Sequence, residues 1–268
     1  MRGFGRAAGG ALIFSLPMLM TMEMWWLGLY MDRPRLLLLF LTSLPLLVLL
    51  SHHIGFERTT CWRDDIVDAL TALGIAAIMC TSLLILFGTI TNETPPQEAV
   101  GKIVIQMIPA AIGALLAKSE FGSPSGTDDD ENPQSKRQET YGGELFLMGV
   151  GALFLGFNLA PTDEMLLISY QMSEVHALVL VACSLVLMHG FVFAVGFAGG
   201  SQISAGEPWW SSFTRFTLPG YVIALGISLY TLWILGRIDG LHLDSLVMAT
   251  VVLGFPSAIG AAAARLIL

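Results

Sequence analysis

The chain has 268 residues, of which 54% are apolar and only 13% charged, and its mean hydropathy is +0.71. Soluble globular proteins carry about a quarter charged residues, so this composition excludes an ordinary water-soluble domain and points to a protein built for lipid. The formal net charge of -8 comes with no lysine- and arginine-rich cluster, which argues against nucleic acid as a partner.

A helix needs roughly 20 apolar residues to cross a bilayer, so the length allows about eight crossings and no sizeable soluble domain. Apolar stretches fall at 8–30, 34–55, 66–90, 100–118, 145–168, 174–198, 216–236 and 245–267. Their uninterrupted apolar runs lack the alternation of a membrane barrel, so the spans are predicted as helices. The first stretch, opened by Arg2 and Arg6, has the charge pattern of a secretory leader. It continues past Trp25 and Trp26 to Tyr30 without a small-x-small cleavage site and reads as a retained span. Glu23 stands near its outer end.

The second stretch closes on His52 and His53, and the third opens on Asp64, Asp65 and Asp68. Carboxylates favour a helix N-terminus, so capping accounts for these aspartates; a charged cytoplasmic vestibule is the functional alternative. Glu98 and Lys102 open the fourth stretch at i, i+4 spacing and read as a local ion pair. Between 119 and 141 the composition turns polar, with an acidic run from Asp128 to Glu131, as expected of a solvated cytoplasmic linker. Glu164 follows in the fifth stretch and His189 in the sixth.

Lysines and arginines set the orientation. Arg2, Arg6, Arg58, Arg63, Lys118, Lys136, Arg137, Arg215 and Arg265 fall on one side of an eight-span arrangement, and Arg33, Arg35, Lys102 and Arg237 on the other. The positive-inside rule then predicts a multi-pass protein with both termini cytoplasmic.

The polar linker near mid-chain divides two halves that echo each other. "GAL" at 10–12 with "TMEM" at 21–24 aligns on "GAL" at 151–153 with "TDEM" at 162–165, an offset of 141. His52 aligns on His189 at 137, "ALGI" at 72–75 on 224–227 at 152, and "PAAIGALLAK" at 109–118 on "PSAIGAAAAR" at 256–265 at 147. Their common order predicts two parallel four-helix repeats, 1–118 and 142–268, joined by the linker and related by a pseudo-twofold axis along the membrane normal. Such halves imply a homodimeric ancestor, and a homodimer of the present chain is a partner to consider.

Pro109 and Pro256 remove a backbone donor, while Gly113 and Gly260 stand among small residues at four-residue spacing. Tight helix packing explains these faces, with a gating hinge as the alternative. Glu23 and Glu164 have two readings. They form a carboxylate pair facing the repeat axis, able to select cations or pass protons, or they reach to the outer interface beside Trp25 and Trp26. His52 and His189 could continue a proton route toward the cytoplasm, or simply donate across helices.

Three scattered cysteines offer no disulfide framework, and no histidine spacing offers a metal site. No cofactor is implied, and the absence of a nucleophile elbow or phosphate-binding loop gives no support to an enzyme.

The stretches "GALIFSLPMLMTMEMWWLG" and "FPSAIGAAAARLIL" resemble a prokaryotic family of integral membrane proteins of unknown function. The resemblance implies residence in a prokaryotic inner membrane and supplies no site residues. From the residues themselves, the leading expectation is transport of protons or small cations through the glutamate pair. The alternatives are a scaffold or sensor acting through the linker, and a lipid-binding protein.

Overall fold

The computed structural model describes residues 2–54, 62–120, 141–194 and 209–267, and every regular element among them is helical. The chain divides into two compact units, Met1–Gly126 and Thr127–Leu268. The predicted linker falls almost wholly outside the described residues.

The first unit contains α1 (Arg2–Leu19), α2 (Met22–Tyr30), α3 (Arg33–Ile54), α4 (Trp62–Leu86) and α5 (Pro96–Glu120). The predicted first span is therefore two helices, and α2 turns away from α1 by 84°. The chain breaks because Pro17 closes α1 and Thr21 adopts an extended backbone, φ -100° and ψ 130°, while its hydroxyl bonds back to the Met18 carbonyl at 2.9 Å. At about 1.5 Å per residue, the 18 residues of α1 already rise on the order of 27 Å, close to the hydrocarbon thickness.

At the centre of this unit stands α5, which packs on α1, α2, α3 and α4. Its apolar span is 78% buried against 33% for α3, so α5 is the core helix and α3 turns much of its surface outward. Close approach to α1 depends on Gly113, where a side chain would collide with Phe14 and the Gly10 carbonyl.

The second unit contains α6 (Tyr141–Leu159), α7 (Asp163–Gln171), α8 (Glu174–Ala194), α9 (Trp209–Ser212), a π-helical turn (Phe213–Thr217), α10 (Leu218–Ile234) and α11 (Leu243–Ile267). The predicted fifth span is likewise interrupted, at 160–162, where Pro161 precedes an extended Thr162 with φ -72° and ψ 141°. Here α11 is the helix that packs on α6, α7, α8 and α10. A side chain at Gly260 would collide with the Gly151 carbonyl and approach Leu155, and one at Gly151 with the Gly260 carbonyl. Small buried residues, Ala224, Ala258, Ala261 and Ala262, continue this seam around Met148 and Met188.

The last spans of both units are thus packing helices, as their small-residue faces predict. Both α4 and α10 end on a glycine in the left-handed region, Gly88 at φ 71° and Gly236 at φ 72°. The following amide closes the cap in each case, from Thr89 to the Leu84 carbonyl at 3.0 Å and from Arg237 to the Leu232 carbonyl at 2.8 Å.

Candidate functional site

Ionisable groups are costly within apolar helices, so those that are buried or bridged mark where function concentrates. In the first unit, α3 and α4 are antiparallel neighbours, and the end of one meets the start of the other. His52 Nδ1 lies 2.9 Å from Asp65 Oδ2. The Asp65 side chain is 1% exposed and that of His52 is 36% exposed, so the pair leads from the solvent-facing end of the helices into their packing. An ionised carboxylate only accepts, so against it Nδ1 carries the proton. Trp62 stacks on the imidazole, ring centroids 4.9 Å apart and planes 3° from parallel, which fixes the ring's orientation. Of the three predicted vestibule aspartates, only Asp65 is buried; Asp64 is exposed and Asp68 half-buried.

The second unit carries a related contact with different chemistry. His189 Nδ1 and Thr217 Oγ1 share a hydrogen bond of 3.0 Å, and Phe213 meets the imidazole edge-on at 5.4 Å. Thr217 is fully buried at the end of the π-helical turn. Here the partner of the imidazole bears no charge.

Glu23 and Glu164 stand at the two breaks. Each occupies the first turn of a short helix just after a break, Glu23 half-buried in α2 and Glu164 exposed in α7. A carboxylate there offsets the positive end of the helix dipole, which gives both residues a local structural reason. Trp25 pins the first break by donating from Nε1 to the Leu19 carbonyl at 2.8 Å.

Each unit also uses a cation to hold a loop carbonyl. Lys102 Nζ pairs with Glu98 at 2.6 Å, as their spacing predicts, and also donates to the Thr89 carbonyl at 2.8 Å. Arg237 pairs with Asp163 and donates to the Thr162 carbonyl at 3.4 Å. Pro109, Gly113, Pro256 and Gly260 all lie inside α5 and α11, at or beside the helix contacts already described. Among the described residues no group of three or more His, Cys, Asp or Glu side chains is placed to hold a metal ion.

Sequence reasoning missed the partnership of His52 with Asp65 and of His189 with Thr217. In the first pair a signal was available: residues close on either side of a single short connection between antiparallel spans must lie at the same depth.

Seven of the described helical segments are long and apolar enough to cross a membrane, or eight if the bent α1–α2 pair is taken as one span. These define a polytopic helical membrane protein. A family model described as "Putative integral membrane protein (DUF2391)" matches residues 3–268, and the chain belongs to that family. No curated protein and no solved structure matches it.

Proposed function

We propose that the protein moves protons or small cations across the inner membrane of a prokaryote, with His52 and Asp65 as its ionisable pair. One observation carries this reading: a carboxylate 1% exposed, bonded to an imidazole 36% exposed, at the end of two apolar helices. Histidine gains and loses a proton near neutral pH, and a buried carboxylate beside it is a natural next station. By the distribution of lysine and arginine, this end faces the cytoplasm, as do both termini. Glu23 and Glu164 are then outer charges that concentrate cations, rather than the pair through which they pass.

The same proposal holds that two four-span repeats arose by duplication. Its support is the succession of like features at a near-constant spacing. Gly10 and Gly151, Thr21 and Thr162, the buried Ser43 and Ser184, and the buried Leu47 and Met188 are each 141 positions apart. The cap glycines are 148 apart and Gly113 and Gly260 are 147 apart. In this register His189 precedes the position matching His52 by one turn, and Thr217 follows the position matching Asp65 by one turn. Antiparallel helices require those opposite shifts if the whole contact moves one turn deeper. The sequence offsets of 137 for the histidines and 152 for "ALGI" record that shift rather than true equivalence.

The test is flux in proteoliposomes under an imposed ion gradient. Asp65→Asn preserves an acceptor oxygen but fixes the charge, and it is expected to abolish flux in protein of normal thermal stability. Flux unchanged in that variant sinks the reading. Glu23→Gln with Glu164→Gln is expected to reduce the rate without abolishing it.

A further inference from the structure

Gln106 lies in the middle of α5 and is fully buried, and among the described residues neither Oε1 nor Nε2 of its amide has a hydrogen-bond partner. Its direction follows from the helix register. Gly113 is two turns away on the same face and touches α1 at Gly10 and Phe14; Lys102, one turn the other way, lies against Gly28 of α2. Gln106 therefore sits between the α1 contact and the α2 contact, on the inner side of the elbow. On α1, Gly10, Phe14 and Met18 form one stripe at four-residue spacing. Gly113 meets Gly10 and Phe14 of α1 while Lys102 meets Gly28 beyond it in the chain, so α1 descends α5 in the opposite sense and its stripe carries Met18 toward the level of Gln106.

The elbow brings backbone groups of its own. The Thr21 hydroxyl turns back to the Met18 carbonyl, so the first amides of α2 receive no side-chain cap. Pro109 supplies no N–H for the Ile105 carbonyl one turn before it. The elbow and Pro109 thus leave backbone donors and an acceptor unused in the same part of the unit as an amide that can both donate and accept. The nearby charge is already satisfied, because Lys102 is held by Glu98 and the Thr89 carbonyl. A neutral ligand with both donor and acceptor capacity fits this chemistry better than an ion. In the second unit the positions 147 later are Ala249 and Leu253, both fully buried and apolar.

We propose that the α1–α2 elbow of the first unit binds water between the Gln106 amide and the freed backbone groups of the break. This inference does not rest on the transport reading.

Radiolysis by X-rays of the full chain in lipid nanodiscs generates hydroxyl radical from bound water in place, and methionine beside such water is oxidised despite burial. Met18 is 0% exposed. With water at Gln106, Met18 is expected to oxidise despite its burial, and Gln106→Leu to slow that oxidation several-fold. A Met18 that stays unoxidised overturns the proposal, as does oxidation that persists unchanged in the leucine variant. Gln106→Met gives a second readout on a side chain of similar shape. Its melting temperature is expected to fall, because a hydrated amide is lost; a rise would show that the native amide is dry. Neither measurement reads flux, so failure here leaves the function of His52 and Asp65 to its own test.

Discussion

The two units use one packing scheme to hold different chemistry. Each has a central last helix, α5 or α11, an interrupted first span, and a histidine bonded across to the helix that follows. Yet the first unit places a carboxylate against its histidine and a lysine and a glutamine along its core helix, where the second has a threonine, an alanine and a leucine. Packing tolerates such exchange because it depends on size at a few crossings, whereas an ionisable group acts only where its partner and depth are right. The comparison predicts that packing substitutions hurt both units alike and polar substitutions do not.

The largest effect is expected at the crossings. Gly113→Val and Gly260→Val each force a branched side chain into backbone and neighbouring side chains, at a cost of about 2–3 kcal/mol if the helices part rather than unfold. Thermal unfolding in detergent should show equal losses. A tolerated Gly260→Val beside a ruinous Gly113→Val would mean that the two seams are not alike.

Next come the histidine contacts. Asp65→Ala removes a buried acceptor of a charge-assisted bond, and Thr217→Ala removes a neutral hydrogen-bond partner. Expected losses are about 2 kcal/mol and about 1 kcal/mol respectively. Exchanging the partners sharpens the point: Thr217→Asp should destabilise the second unit, because it puts a carboxylate at a fully buried position. A stable Thr217→Asp protein would show that the second contact accommodates the chemistry of the first.

Much of this fold was legible in the sequence because periodicity and small-residue spacing survive without knowledge of contacts. Gly113 and Gly260 were found that way, and so was the ion pair of Glu98 with Lys102, which needs only one helix. The elbows at 20–21 and 160–162 were not, since the apolar run continues across each break and only backbone torsion at Thr21 and Thr162 reveals it. Glu23 consequently read as part of one continuous helix, when it stands in the first turn of a separate short one. Gln106 drew no attention because a single amide in an apolar run has no local partner pattern. Its isolation appears only when the neighbours on α1 and α2 are known.

The cap glycines offer a milder, matched comparison. Gly88→Ala and Gly236→Ala place a Cβ in the left-handed region and should each cost about 1 kcal/mol, measured as equal shifts in unfolding midpoint. Unequal shifts would say that one loop relaxes out of the cap and the other cannot.

The smallest effect separates the two loop clasps. Arg237 reaches Asp163 across the second unit, but the Asp163 side chain is 81% exposed, so solvent and salt screen the pair and Arg237→Gln should cost less than about 0.5 kcal/mol. The Lys102 clasp differs in kind: its partner Glu98 is only 20% exposed, and the ammonium also holds the Thr89 carbonyl. Lys102→Gln should therefore cost more, and its penalty should persist in high salt while that of Arg237→Gln vanishes. Equal, salt-sensitive penalties would place both clasps at the surface and remove the electrostatic distinction between the first unit's elbow and the second's.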